Sequence, residues 1–197
     1  MASQQYDVWS VTPKADADFY VVSVTPAGAG ALGLVATTPG INGYGYKVSI
    51  TSVADETAKN FTITGIPVGS TTAVTEVVAG GNNTTVYSTN YFASVSSISV
   101  SAATAGAITV GYGGSLALPR CRIKGLYYVG NANAGSLTIA SPNRTVPFVK
   151  LITPTSSNSF ADSLFLAAEG VLVGNVQPND YATVVTANVT AFTITCG

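Results

Sequence analysis

The sequence predicts an all-β protein: two consecutive antiparallel β-sandwich or jelly-roll-like domains preceded by an extended N-terminal arm. Three observations lead to this fold class. Short segments in which apolar and hydroxyl residues alternate recur along the 197 residues, Gly-, Asn- and Pro-containing turns separate them, and no window of ten or more residues has helical periodicity. Because successive side chains of a strand point to opposite faces, this alternation indicates half-buried strands.

The stretch 91–113 shows the alternation most clearly. Ile98 and Val100 alternate with serines, and beyond a turn of small residues Ile108 and Val110 repeat the pattern. Period-2 alternation of this length is typical of antiparallel strands with one buried face. We therefore expect two strands here that are neighbours in one sheet and pack on one apolar layer.

The chain divides by its pattern into three parts. The predicted divisions are 1–40 for the N-terminal arm and first strand, 41–113 for the first sandwich and 114–197 for the second. The glycine-rich segment 111–115 is predicted to be the linker between the sandwiches. The arm holds the only tryptophan, Trp9, in a polar leader. Trp9 is expected to dock on a neighbouring subunit or to cover the edge of its own domain, and a chain without residues 1–24 is expected to fold.

Charge is scarce throughout the chain. Lys and Arg number 8 and Asp and Glu 9, so that charged residues are 9% of the total and the net charge is −1, against about 25% in typical soluble proteins. A long-range field that would attract nucleic acid or a membrane surface is not expected, and no apolar run approaches the roughly 20 residues that span a bilayer. A surface of hydroxyls, amides and backbone suits assembly, so a homo-oligomer is expected, with a Ser/Thr-coated monomer as the alternative.

The residue inventory disfavours an enzyme. The chain has no histidine, which removes the usual general base near neutral pH and the commonest metal ligand. Cys121 and Cys196 lie far apart and form no CxxC motif. They could pair only if the first and last strands of the C-terminal half are neighbours, and two reduced thiols are the favoured reading. We predict no catalytic, cofactor-binding or metal-binding residue.

Two close acidic pairs, Asp16/Asp18 and Asp55/Glu56, are expected in turns or at the surface. A calcium site would need more oxygen ligands at loop spacing than either pair offers.

A basic cluster is the strongest candidate for a contact surface. Arg120, Arg122 and Lys124 alternate along one predicted strand, opposite an apolar face that includes Ile123 and Tyr127. They could bind carboxylates of a partner, or they could form a solvated strand face that prevents edge-to-edge aggregation. Together with Trp9 they are the candidate interface residues.

Several segments come in an order that resembles a known family. They are Pro26–Gly30 (PAGAG), Lys47–Val53 (KVSITSV), Phe61–Gly65 (FTITG), Ser88–Ser101 (STNYFASVSSISVS) and Ala105–Gly111 (AGAITVG). The order resembles a β-domain recurrent in tailed-bacteriophage virion proteins, in which a PAGAG-like entry, a KVTITS strand, an FTVTG strand, an STKYFKTVTSIS segment and an AGxxxVG strand follow one another. The resemblance covers about residues 25–113, and the second half is more loosely similar to small sandwiches that follow in such proteins. Asn90 stands where a Lys is frequent.

This resemblance implies a structural protein of the virion, assembled in the host cytoplasm. The role it favours is a capsid decoration or cement protein that stabilises the head and binds the major capsid protein or other virion proteins. One alternative is a tail component of the tube, nozzle or fibre base. Another is a module that binds a glycan or host receptor, for which the tyrosine pairs Tyr44/Tyr46 and Tyr127/Tyr128 are the aromatic candidates.

Overall fold

A computed structural model describes most of the chain: residues 7–11, 15–39, 44–119, 121–130, 133, 135–141, 149–153, 160–165, 171–173, 181–187 and 189–196. Within these ranges every regular element is a β-strand, and the strand pairings are antiparallel. The predicted all-β fold class is confirmed, while the finer division into two jelly-roll-like sandwiches stays a prediction. The described residues include no helix of the length and apolarity that crossing a membrane requires.

The strands are numbered in chain order. They are β1 (Asp7–Val11), β2 (Asp16–Val24), β3 (Gly30–Ala31), β4 (Gly45–Ser52), β5 (Asn60–Pro67), β6 (Val74–Ala79), β7 (Thr85–Val100), β8 (Ile108–Leu118), β9 (Cys121–Gly130), β10 (Gly135–Ala140), β11 (Val149–Thr153), β12 (Phe160–Phe165), β13 (Val171–Val173), β14 (Ala182–Ala187) and β15 (Val189–Cys196).

The chain forms two compact units. The central unit comprises Lys14–Leu116, and the terminal unit comprises Met1–Pro13 together with Ala117–Gly197. The domain boundaries suggested at 40 and 113 remain predictions. The linker predicted at 111–115 is wrong, because β8 continues through these residues without interruption.

The central unit is a sheet with the strand order β8-β4-β7-β5-β6, in which β2 also pairs with β8 and β3 with β7. The long strand β7 pairs with both β4 and β5, in addition to its short pairing with β3. Its first half pairs with β4, its second half pairs with β5, and Phe92 lies at the point where both pairings meet. The prediction that β7 and β8 are neighbours is wrong, because β4 lies between them.

The core of the central unit is built from the predicted alternation. Its fully or nearly buried apolar side chains are Tyr20, Val21, Leu32, Val48, Ile50, Phe61, Ile63, Val78, Phe92, Val95, Ile98, Val100, Ile108 and Val110. The inward faces predicted for β7 and β8 are therefore confirmed. Tyr20 and Val21 of β2 belong to this core, so a chain lacking residues 1–24 would lose part of it, and the folding of that chain stays a prediction.

Two glycines of β8 allow the start of β2 and the residue before it to cross β8 closely. A Cβ atom at Gly111 would overlap the carbonyl oxygen of Asp16, and one at Gly113 would lie 3.2 Å from the Cβ of Ala15. Glycine is the residue that permits such an approach of two backbones. The glycine-rich segment therefore serves strand packing.

The terminal unit contains a sheet with the order β1-β15-β9-β12, in which β13 also pairs with β9, and it contains the pairings β11-β10-β14. Between β9 and β15 the register shifts, so that Lys124 has no opposite residue. Ile123 and Leu126 are buried while Tyr127 is 45% exposed. The predicted shared face of Ile123 and Tyr127 is wrong, because a β-bulge reverses the alternation at Lys124.

Candidate functional site

Three of the four candidate interface residues lie on two strands of the terminal unit, β1 and β9, and the fourth lies outside the described residues. Trp9 lies on β1, opposite Ile194 of β15. Arg122 lies on β9 opposite Leu172, and Lys124 is the extra residue of the bulge. Arg120 lies outside the described residues, as do the side chains of the other three.

Strand β9, which carries Arg122 and Lys124, has described neighbours on both sides over most of its length. β9 has β15 on one side and β12 and β13 on the other. Among the described strands the pairing with β15 begins at Ile123, so Arg122 is flanked by β13 alone, and the interpretation as a face that blunts an exposed edge stays a prediction. The contact with a partner's carboxylates stays a prediction.

The two cysteines lie on neighbouring strands. Cys196 of β15 is opposite Ile123 of β9, two residues from Cys121. A disulfide between the two cysteines requires that the first and last strands of the C-terminal half lie side by side. This condition is met.

The most elaborate polar arrangement of the central unit is a bulge in β7. Lys47 pairs with Tyr91 and Ser49 pairs with Tyr87, so that the segment 88–90 faces the single residue Val48. Ser88 is 1% exposed, and its Oγ accepts a hydrogen bond from the Val48 N–H (2.9 Å) and donates one to the Asn90 carbonyl (2.8 Å). The hydroxyl thus replaces a ladder partner that the bulge removes.

A carboxylate from another strand completes this bulge. Glu76 of β6 accepts hydrogen bonds from the backbone N–H groups of Thr89 and Asn90, the latter at 3.0 Å, and from Nδ2 of Asn90 at 2.8 Å. Charge-assisted bonds of this kind are about twice as strong as neutral ones. Asn90, the position at which the resembling family frequently has a Lys, therefore acts inside the unit as a donor to Glu76.

A second carboxylate holds the turns at one end of the unit. Glu56 is fully buried; its Oε1 accepts a bond from the Gly106 N–H (2.9 Å), and its backbone N–H donates to the Gly81 carbonyl (2.9 Å). Oε2 lies 3.7 Å from Nζ of Lys59 and accepts no hydrogen bond from the described residues. Glu56 thus lies in the turn between β4 and β5, as predicted, but it is buried there because the turns after β6 and β7 cover it.

The neighbouring acid behaves as predicted. Asp55 is exposed, and the hydroxyl and N–H of Thr57 both donate to its Oδ1, at 2.7 and 3.0 Å. These two bonds stabilise the carboxylate and lower the pKa of Asp55.

An aromatic cluster of the central unit is formed by side chains of β2, β4 and β8. The rings of Tyr46 and Tyr112 stack with centroids 4.5 Å apart, and Phe19 contacts both Tyr20 and Tyr112 edge to face at 5.0 Å. The Tyr20 hydroxyl is buried and has no hydrogen-bond partner among the described groups. Burial, with a smaller contribution from neighbouring tyrosines, raises the pKa of Tyr20 and of Tyr46 well above that of an exposed tyrosine.

This cluster bears on the glycan-binding alternative. Tyr46 is 6% exposed, so its ring is already covered and cannot serve as an open stacking surface for a sugar. Tyr127, which is 45% exposed, belongs to the terminal unit. The pair Tyr44/Tyr46 therefore does not form the exposed aromatic platform that this alternative requires.

Sequence reasoning missed Glu76 and Ser88 as organising residues. The role of Glu76 could have been predicted from its position in the sequence. Glu76 is the one charged residue of its strand, and it alternates in phase with Val74 and Val78, which face the core. A charge on the inward face of a strand needs a partner. Ser88 carries no comparable signal, since serines are common in this chain.

Among the described residues, no three His, Cys, Asp or Glu side chains come together in a group that could hold a metal ion. The chain matches no family model, no curated protein and no solved structure.

Proposed function

We propose that this protein is a non-enzymatic structural protein of a tailed-bacteriophage virion, and that it decorates the head by binding the major capsid protein. The observation that carries the proposal concerns the resembling segments. Four of them form β4, β5, β7 and β8, which are consecutive neighbours in the sheet of the central unit. Their likeness to the virion domain therefore involves one continuous framework with a common core.

The hydrogen bonds made by three polar side chains of the central unit support a structural role. The carboxylates of Glu56 and Glu76 and the hydroxyl of Ser88 each bind backbone groups of turns or of the bulge. These contacts fix the shape of the strands and leave the three side chains occupied. A rigid β-framework with few charges suits a protein that acts by covering surface on a larger assembly.

Decoration would act through buried area. Many copies that each bury apolar surface on the head would stabilise it by roughly 25 cal/mol for each Å² removed from water. The exposed valines of the central unit, among them Val35, Val53 and Val77 at 61–65% exposure, are apolar surface of this kind.

The proposal is tested by adding the purified chain to phage particles that lack it. We expect saturable binding to heads and a higher temperature of DNA release on heating. Isolated tails serve as the control for the tail alternative. Binding to tails alone would move the protein to that structure, and no binding to either would remove the virion role.

A further inference from the structure

The two outer strands β2 and β6 of the central unit differ in how well they are protected. β2 pairs with β8 through a register that shifts twice, and it carries Asp16 and Asp18. β6 pairs with β5 from Val74 to Ala79 without any shift. Natural sheets protect exposed edges with bulges, prolines or outward charges, and β6 (VTEVVA) has none of these on its outer side.

The hydrogen bonds at one end of β5 show which way each backbone group points. The Ser101 N–H donates to the Asn60 carbonyl (2.9 Å), so Asn60 directs its backbone toward β7. The Gly80 N–H donates to the Lys59 carbonyl (2.9 Å), so Lys59 directs its backbone toward the chain of β6. Along an antiparallel strand this direction alternates from residue to residue.

The alternation fixes the outward groups of β6. Asn60 is opposite Ala79, and the pairing continues in step along the strand. Val78 and Glu76 therefore bond to β5, whereas Thr75, Val77 and Ala79 direct their N–H and C=O groups away from it. No described strand pairs with this outer edge.

The side chains at these positions leave the edge uncharged. Thr75, Val77 and Ala79 are exposed, with Val77 at 61%. The single charge of the strand, on Glu76, is engaged with the backbone of Thr89 and Asn90. Another strand can therefore approach without meeting a like or unlike charge on the outward residues.

We propose that β6 pairs with β6 of a second copy of this chain, antiparallel and about a two-fold axis at Val77. In this register Val77 faces Val77 of the second copy and Thr75 faces Ala79. Every outward residue then meets an outward residue, and each such pair exchanges two hydrogen bonds. Glu76 faces Val78 of the second copy, so no like charges lie opposite one another.

Other registers satisfy fewer groups. A shift by one residue would set outward groups against residues that are already bonded to β5, and a shift by two would leave Thr75 or Ala79 without a partner in β6. The edge is thus self-complementary, which is the requirement for a two-fold interface. This inference goes beyond the virion role and does not depend on it.

Sedimentation velocity over rising protein concentration tests the pairing. We expect the native chain to pass from its monomer mass of 19.9 kDa toward twice that mass. Val77→Lys sets two like charges together at the axis and should weaken dimerisation roughly tenfold or more. Val53→Lys changes a valine of similar exposure outside β6 and should dimerise like the native chain, as should Val77→Thr.

Amide hydrogen exchange supplies a second readout that does not depend on a variant. Dimerisation should slow exchange at Thr75, Val77 and Ala79 and leave Glu76 and Val78 unchanged, because the latter are already bonded to β5. A native chain that stays monomeric at every concentration overturns the proposal, even if it binds a strand of another protein. Equal weakening by Val77→Lys and Val53→Lys also overturns it, because the contact would then not be β6.

Discussion

At the scale of single residues, the polar side chains within the central unit are of two kinds. Glu56, Glu76 and Ser88 hold backbone groups that turns and a bulge leave without ladder partners. The Tyr20 hydroxyl holds none among the described groups. Since an unmade hydrogen bond costs more than a made one contributes, these residues should respond to substitution in opposite directions.

Removing the Tyr20 hydroxyl should not destabilise the protein. In Tyr20→Phe the ring stays in the core and an unsatisfied buried group disappears, so we expect a free energy of unfolding that is unchanged or higher by up to about 1 kcal/mol. Urea unfolding of the two proteins measures the difference. A loss of more than about 1 kcal/mol would mean that the hydroxyl is bonded in solution.

Removing the Glu76 carboxylate should destabilise the bulge. Glu76→Ala leaves the N–H groups of Thr89 and Asn90 without their acceptor, and we expect a loss of about 2 kcal/mol in the free energy of unfolding. Glu76→Gln keeps one acceptor oxygen and should lose less. Equal stability of Glu76→Ala and the native chain in urea would contradict this role.

Alkaline pH should destabilise the aromatic cluster. The pKa of Tyr20 and of Tyr46 is raised in the folded state, so above the ordinary tyrosine pKa of about 10 the folded chain binds more protons than the unfolded chain. The associated stability is complete below about pH 10 and is lost as the pH rises toward the folded-state pKa values. Thermal unfolding from pH 8 to 11 measures this loss of stability. The double variant Tyr20→Phe/Tyr46→Phe should lose less stability over the same range. An unfolding temperature that falls with pH as steeply in the double variant as in the native chain would contradict the role of these two tyrosines.

At the scale of elements, the crossing of β2 over β8 depends on one missing side chain. A Cβ at Gly111 would overlap the Asp16 carbonyl oxygen, whereas nothing lies within 4 Å of a Cβ at Gly33. We expect Gly111→Ala to lower the free energy of unfolding by about 3 kcal/mol, because two strands must separate. Gly33→Ala is the matched control and should change it by less than about 0.5 kcal/mol. Similar values for both would show that the crossing is not tight.

The strands themselves could be predicted because each depends on local alternation. Ile98, Val100, Ile108 and Val110 are buried as their spacing indicates. The partner of each strand could not be predicted in this way. That β4 lies between β7 and β8 depends on contacts between residues about 40 positions apart, such as Val48 with Ser88, and alternation carries no information about them.

The features that could not be predicted have the same physical origin. The alternation of β9 reverses at Lys124 because of a bulge that appears only when β15 is placed beside it. The burial of Glu56 within its turn could not be predicted, because it depends on Gly81 and Gly106, which are distant in sequence and bring their turns against it. The basic cluster was recognisable as a group, whereas the interior position of its strand was not.

At the scale of the whole molecule, a charge-poor chain forms a framework of antiparallel strands. With 9% charged residues and no histidine, the chain offers little for long-range attraction or proton transfer near neutral pH. The framework and the resembling strand order motivate a role in a virion. Self-pairing through β6 would then give that role a two-fold building block.

The copy number of the chain in purified phage particles tests the proposed role most directly. Quantitative mass spectrometry against the major capsid protein gives this ratio. Decoration of a symmetric head predicts a ratio near one or a simple fraction of it. A ratio of roughly a few per hundred would indicate a tail component, whose ring symmetries allow far fewer copies. Absence of the chain from the particles would contradict the virion role.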